Sequence, residues 1–403
     1  MKVLISDNLP DICKTILESA DIQVVTKTDF TPEELQKEIG VYNGLIIRSS
    51  TQCTPEILES ADKLQAICRA GVGVDNVNVP AATKKGVIVM NTPGGNTTST
   101  AEHAITLLLA LSRNIAQACN SVREGKWERK KFTGTQVSGK VLGVIGLGKI
   151  GKEVAKRAIA LEMKVLGYDP FISNETIPQL NVQLVENLDE IYRQADYITL
   201  HIPLVNDTKH MISKGELEIM KDGVRIINCA RGGIISEDSL YDALVSGKVA
   251  GAAIDVFEKE PPENNKLLEL DNVLPTPHLG ALTKEAQLAV AEDAAKQMVD
   301  VLKNNIIRNA VNMPVQGSED KPYITLTEKM GALLSQLVSG RIRSIDIQYS
   351  GGVSKDNVRP LTDCLLVGLL KDVFDENVNI VNARVLVDER GIKINEIISS
   401  ATG

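Results

Sequence analysis

The chain has no Cys-x-x-Cys pair. Its six cysteines, at positions 13, 53, 68, 119, 229 and 364, are scattered, and no His/Cys spacing suits zinc. That excludes a disulfide-stapled or zinc-organised fold and leaves the cysteines as buried spacers, with no metal expected and a reducing, cytoplasmic setting as the default. Long apolar runs are also missing: "AITLLLALS" is the strongest and falls well short of the roughly 18 residues of a membrane span. The opening "MKVLISDNLP" puts an acid and a proline where a signal peptide needs an apolar core. Positive charge is in deficit, with a formal net charge of −8, and "ERKK" (Glu128–Lys131) is the densest cationic spot. Neither nucleic acid nor membrane is therefore an expected partner. Histidine is scarce, with four in 403 residues, so each is a candidate for chemistry.

What remains is ordinary globular composition, 43% hydrophobic and 24% charged, in a chain long enough for two or three domains. "KVLIS", "IQVV", "LIIR", "LQAICRA" and "VIVMN" read as strands buried on both faces, hence parallel. Between them "TPEELQKEIG" and "TPEILESA" start helices with Thr, Pro and first-turn acids. A long helix is expected over 97–119. A second series follows: "VLGVIGL", "KVLGYD", "YITLHIP", "VRIINCA", "GAAIDVF" and "VLPTP". A further helix carries the apolar spacing Leu288, Val290, Met298, Val301, Leu302. The fold class is α/β: two doubly wound parallel-sheet domains, Rossmann- or flavodoxin-like, with a cleft between them. After Val315 the linker-like "QGSEDKP" leads to a small α/β C-terminal module with no evident chemistry.

"VLGVIGLGKIGKEVAKRA" places Gly146, Gly148 and Gly151 in G-x-G-x-x-G spacing between a strand and a helix. The three glycines allow a tight turn, close approach of backbone amides to a pyrophosphate, and close helix packing. "VLGYDP" ends a strand at Asp169, 21 residues beyond Gly148, where a carboxylate would accept from a ribose diol and repel a 2′-phosphate. NAD is the expected cofactor. "GVGVDN" lacks the third glycine, but backbone amides at Gly71, Val72 and Gly73 suit a small carboxylate.

Oxidising a hydroxy acid requires a proton acceptor, a group that fixes its state, and a cation for the carboxylate. His278 in "PTPHLGA" is held by prolines before it and given clearance by Gly280. Glu260 in "DVFEKEPP" is braced by Pro261 and Pro262, and Arg231 follows "VRIINCA" and precedes two glycines. His201 ranks second, ahead of His103 inside the long helix and His210 in a polar loop.

"GLGKIG", "NCARGG", "DVFEKEPP" and "TPHLGA", in that order, resemble the NAD-dependent D-isomer-specific 2-hydroxyacid dehydrogenases over about residues 1–315. The resemblance implies that Arg231 anchors and polarises the substrate, Glu260 supports the histidine and His278 is the general acid/base. It puts Asp169 on the adenosine ribose, Lys149 and Ile150 at the pyrophosphate, and Asp255, Cys229 and Ala230 beside the nicotinamide. Val72, His201, Ile202, Pro203, Gly280 and Ala281 complete the implied cofactor contacts, with Ile202 contributing backbone only.

"RAGVGVDNV", "NTPGGNTTSTAEH" and "GKWERKKF" resemble more narrowly the members that oxidise 3-phosphoglycerate, the opening step of serine synthesis. Substrate contacts are then expected from Arg48, Arg69, Gly71, Val72, Gly73, Asn96, Arg129 and Lys130. Lys131 and Trp127 share the loop of the last two, which would reach a partner subunit in a homodimer or homotetramer formed through the NAD-binding domain. A reductase of glyoxylate or hydroxypyruvate is the same-class rival, and an NAD-sensing corepressor the other. The family layout places a substrate domain at 1–97 and 283–316, the NAD domain at 98–282 and the C-terminal module at 317–403, with closure excluding water. That module resembles the start of a regulatory domain, apparently incomplete and without a serine-binding ACT domain, so serine feedback is not expected.

Overall fold

The computed structural model describes residues 1–172, 181–313, 321–338, 342–350, 355–371 and 378–399. Of the expected linker, residues 316–320 lie outside these. The chain forms two compact units, Met1–Pro93 with Leu288–Gly403, and Gly94–Gln287.

In the first unit, β1 (Lys2–Ile5), β2 (Gln23–Thr26), β3 (Gly44–Ile47), β4 (Ala66–Arg69) and β5 (Ile88–Asn91) form one sheet. Its order is β2-β1-β3-β4-β5, and all pairs are parallel. The helix signals act locally: Thr31 accepts from the Glu34 N–H while the Glu34 carboxylate accepts from the Thr31 N–H, and Pro32 follows the cap. Apolar residues buried on both faces make β3 fully interior, whereas "IQVV" gives β2, an edge strand with both ends exposed rather than one covered on both faces.

The helix Lys284–Val299 covers one face of this sheet through Val290, Ala291, Ala294, Ala295 and Met298. Gly44 permits the close approach, since a Cβ there would come within 2.5 Å of the Met298 sulfur. Of the expected apolar face, Val290, Met298, Val301 and Leu302 are buried, while Leu288 is 48% exposed; Ala291, Ala294 and Ala295 complete the contact.

The second unit holds β6 (Val141–Ile145), β7 (Lys164–Tyr168), β8 (Gln183–Leu184), β9 (Tyr197–Leu200), β10 (Val224–Asn228), β11 (Val249–Ile254) and β12 (Val273–Pro275). The order is β12-β11-β10-β9-β6-β7-β8, all parallel. Strand order reverses between β6 and β9, the position where doubly wound sheets open a crevice at their C-terminal edge. Alternation along the strands feeds both faces: Ile226 packs in one core cluster and Ile227 in the other.

Sequence reading overlooked β8, which pairs through only two residues and has no apolar run. The single helix expected over 97–119 is two, Thr97–Ser112 and Ile115–Arg123, because Asn114 turns left-handed at φ +52°. Cys119 is exposed, unlike the other five cysteines, because it lies on the short second helix.

In the C-terminal segment, β13 (Ser344–Ser350) pairs in parallel with β14 (Lys393–Ser399). The stretch "NIVNARVLVDERG" contains the helix Ala383–Glu389. The helices Lys321–Leu337 and Lys355–Leu370 meet at Gly331 and Gly368, where a Cβ would strike the Leu365 and Glu328 carbonyls respectively. Among the described residues no helix is long and apolar enough to cross a membrane.

Gly368→Val is expected to force this helix pair apart and cost about 1–3 kcal/mol. Hydrogen exchange of the C-terminal helices should accelerate, while β6–β11 keep their protection.

Candidate active site

The glycine turn after β6 is built from steric necessity. Gly146 sits at φ +94°, and a Cβ there would come 2.5 Å from the His201 carbonyl at the end of β9. A Cβ on Gly151 would strike the Gly146 carbonyl, so the helix Lys149–Ala160 packs directly on the turn. Gly148 is the opposite case: a Cβ there would meet nothing within 4 Å. It caps the helix without a side-chain acceptor, leaving the first-turn amides of Lys149 and Ile150 directed at an open face. Asp169 follows β7; its carboxylate accepts from the Leu147 N–H at 2.9 Å and the Phe171 N–H at 2.9 Å, which fixes it beside the turn. An open, amide-lined turn with a fixed carboxylate fits a dinucleotide.

Loops after β10, β11 and β12 carry the second cluster. Asn228 ends β10, and its side chain brackets the next loop: its carbonyl accepts from Ala230 N–H at 3.0 Å, and its amide donates to the Arg231 carbonyl at 2.9 Å. Arg231 donates from Nη1 to the Ala230 carbonyl at 2.6 Å. Gly232 lets this loop touch the one after β11, where a Cβ would strike the Phe257 carbonyl. Asn228 escaped sequence reading; its signal was a polar residue closing the strand directly after Ile226 and Ile227.

His278 lies 2.8 Å, through Nδ1, from the Glu260 carboxylate, whose other oxygen accepts from the Phe257 N–H at 3.1 Å. Burial raises the Glu260 carboxyl, but the His278 bond and charge and the Phe257 amide outweigh it and hold the group below its usual range. Donation from Nδ1 makes Nε2 the basic nitrogen of the neutral ring, and the imidazole is 45% exposed. Gly280 is held by the Ser99 and Thr100 hydroxyls, which donate to its carbonyl at 2.9 and 3.2 Å.

The rival histidines are committed elsewhere. His201 lies 3.0 Å from the Thr199 hydroxyl, and burial depresses its pKa to about 4, so it is neutral at ordinary pH. Ile202 is half-buried against the glycine turn, and Pro203 is exposed. His210 pairs with Glu258 at 3.1 Å. His103 lies 3.1 Å from the fully buried Asp255. Ligand atoms of His103, Cys229 and Asp255 fall within 4.8 Å of one another. Burial drives the Cys229 thiol far up, and hydrogen-bond donors already fill the Asp255 carboxylate, so this is a hydrogen-bonded cluster.

In the first unit, Arg48 follows β3 and Arg69 ends β4, and Arg69 Nε donates to the Arg48 carbonyl at 3.2 Å. Burial lowers the Arg48 pKa, partly offset by Asp7. The Arg69 guanidinium lies over Gly71, which has no side chain to obstruct it. The Val72 carbonyl accepts from Asn91, and Gly73 continues the same turn. These expected anion contacts therefore share one edge of the first sheet.

In the second unit, Asn96 is nearly buried, and its side-chain oxygen has no partner among the described residues. Arg129, Lys130 and Lys131 are exposed on a loop tied down by Glu128, which accepts from Ser121 at 2.9 Å.

Residues 105–280 match the family profile described as D-isomer specific 2-hydroxyacid dehydrogenase, NAD binding domain. Residues 320–403 match the D-3-phosphoglycerate dehydrogenase intervening domain. The chain is 47% identical over 401 residues to a D-3-phosphoglycerate dehydrogenase of Archaeoglobus fulgidus, covering 98% of this chain and 76% of that one. The human protein of the same name is 44% identical over 398 residues, covering 98% and 74%.

The chain belongs to the D-3-phosphoglycerate dehydrogenase family.

As a D-3-phosphoglycerate dehydrogenase family member, it is an NAD-dependent oxidoreductase whose Rossmann unit is the NAD-binding domain. Solved structures agree on the fold. A glyoxylate reductase from Paecilomyes thermophila superposes with a TM-score of 0.72 at 28% identity, covering 77% of this chain and 98% of that one. A Thermus thermophilus protein gives 0.71 at 32%, covering 77% and 100%. The expected α/β class with two parallel sheets is the one observed.

Gly146→Ala is expected to weaken NAD binding at least about tenfold by calorimetry, because the turn cannot keep its left-handed backbone. Lowering the pH from 6.5 to about 4 should cost stability through His201, since the unfolded imidazole takes up a proton that the buried one refuses. Urea unfolding of His201→Asn should lose that part of the pH dependence.

Proposed function

We propose that this protein oxidises 3-phospho-D-glycerate to 3-phosphohydroxypyruvate with NAD, the first step of the phosphorylated route to L-serine. The observation that carries this reading is the Glu260–His278 pair at 2.8 Å, on loops at the same edge of the sheet as the dinucleotide-binding turn, in a chain near-fully alignable to relatives of that name. When bound, NAD supplies the acceptor for the hydride leaving the hydroxyl-bearing carbon. His278 Nε2 takes the hydroxyl proton, and Glu260 stabilises the imidazolium that results. Arg231 pairs with the substrate carboxylate and polarises the neighbouring oxygen as it becomes a carbonyl. In the reverse direction His278 returns the proton.

Arg48 and Arg69 serve the phosphate, which carries close to two negative charges. A reductase of a small unphosphorylated oxo acid has no use for this pair. Asn96, whose buried oxygen has no partner among the described residues, donates from its amide or accepts from the substrate hydroxyl. Trp127, 78% exposed next to Arg129 and Lys130, suits an apolar anchor in a second copy, and self-association through the NAD-binding unit is part of this reading. The setting is cytoplasmic.

With NADH and phosphohydroxypyruvate, His278→Ala should lose at least about a hundredfold in kcat while NAD affinity stays within about twofold. Equal loss of NAD binding would make His278 structural. Arg48→Ala should raise KM for 3-phosphoglycerate about tenfold or more. An unchanged KM would transfer the assignment to an unphosphorylated substrate.

A further inference from the structure

His278 carries a left-handed backbone, φ +54°, which side-chain-bearing residues adopt only against a steric penalty. Such a conformation persists only where surrounding contacts over-determine it. Here Asp255 supplies three of them, and the Thr276 carbonyl also accepts from the His278 N–H at 3.0 Å. The Asp255 carbonyl accepts from the His278 N–H at 2.9 Å, and its two carboxylate oxygens accept from the Leu279 and Gly280 N–H groups at 2.8 and 2.9 Å. Three consecutive amides thus converge on Asp255, whose side chain is fully buried.

A buried carboxylate that accepts amides must itself be kept charged and oriented. Thr276 donates to Oδ1 at 2.6 Å, and His103 Nε2 lies 3.1 Å from the same oxygen and 3.4 Å from the Thr276 hydroxyl. His103 is one helical turn beyond Ser99, whose hydroxyl holds the Gly280 carbonyl, so one face of the helix Thr97–Ser112 grips the turn twice.

We propose that His103 and Thr276 are positioning residues that act through Asp255 to hold the His278 turn in its productive left-handed form. The inference rests on the reading of His278 as the proton-transfer group. Burial raises the Asp255 carboxyl, yet the bonds from His103, Thr276 and Leu279 leave it below its usual range, consistent with a carboxylate these donors hold ionised. His103 stands apart from the proton-transfer pair and needs no proton exchange of its own; its Nε2–H is the feature used.

The test compares His103→Leu, which removes the donor, with His103→Gln, which restores an N–H near the same place, in the full-length chain. Amide hydrogen exchange without cofactor should show Leu279 and Gly280 exchanging about tenfold faster in the leucine variant, with Ala252–Ile254 unchanged. In turnover assays the leucine variant should lose about tenfold in kcat with KM within about twofold. The glutamine variant should recover both readouts to within about threefold, and Thr276→Val should reproduce the leucine pattern. Unchanged exchange in His103→Leu overturns the proposal, as does faster exchange with undiminished kcat, or a glutamine variant no better than leucine. His278→Ala separates the two readings. If it retains activity, the proton-transfer role fails; if it is inactive while His103→Leu is unaffected, only the positioning role fails.

Discussion

The Asp255 carboxylate sits at the end of β11 with no solvent access, and its four donors come from two stretches of the chain: the Thr276 hydroxyl with the Leu279 and Gly280 amides, and the ring of His103. An ion buried this deeply is tolerable only when every lone pair is used. That requirement ties β11 to the residues just after β12 and to the helix that opens the second unit. The left-handed residue in this turn, His278, faces Glu260 from the loop after β11. In the proposed proton transfer, the geometry of the Glu260–His278 pair would depend on a charge outside the pair.

A second constraint governs the cofactor side. Gly146, Gly151 and the His201 carbonyl crowd one another closely enough that side chains are excluded at both glycines, while Gly148 faces open space. Close packing behind the turn and clearance in front of it follow from the same backbone path. Because the turn lies where strand order reverses, the sheet edge and the helix N-terminus address the same side. Arg231 and the Glu260–His278 pair are carried by loops at the same C-terminal edge of that sheet, so the NAD-binding turn and the proposed acid/base pair share one set of strands.

The first unit repeats the doubly wound plan with a different content. Its sheet-edge loops are knitted by Asp7, Asn76 and Asn91 to backbone groups, and they present arginines where the second unit presents glycines. Residues 320–403 match the intervening domain, and the helix pair meeting at Gly331 and Gly368 lies within that segment.

Local chemistry was legible in the sequence. The spacing of Gly146, Gly148 and Gly151, the Thr-Pro-Glu helix starts, and the prolines around Glu260 and His278 each act within a few residues. Their consequences could be read without knowing the fold. The same holds for the βα alternation, because strands covered on both faces must be apolar throughout. Signals that depend on distant partners were not legible. Asn114 broke a helix whose composition ran on, β8 formed from two residues with no pattern, and Leu288 alone of its helix's expected apolar face turned outward. His103 ranked low as a helical histidine until Asp255, 152 positions away, proved to be its partner. The chain alone determined which residues could perform the chemistry, since steric and capping rules act over one turn. Only the tertiary structure decided which donors reach a buried carboxylate and hold His278 in place, because burial brings together groups that sequence spacing cannot relate.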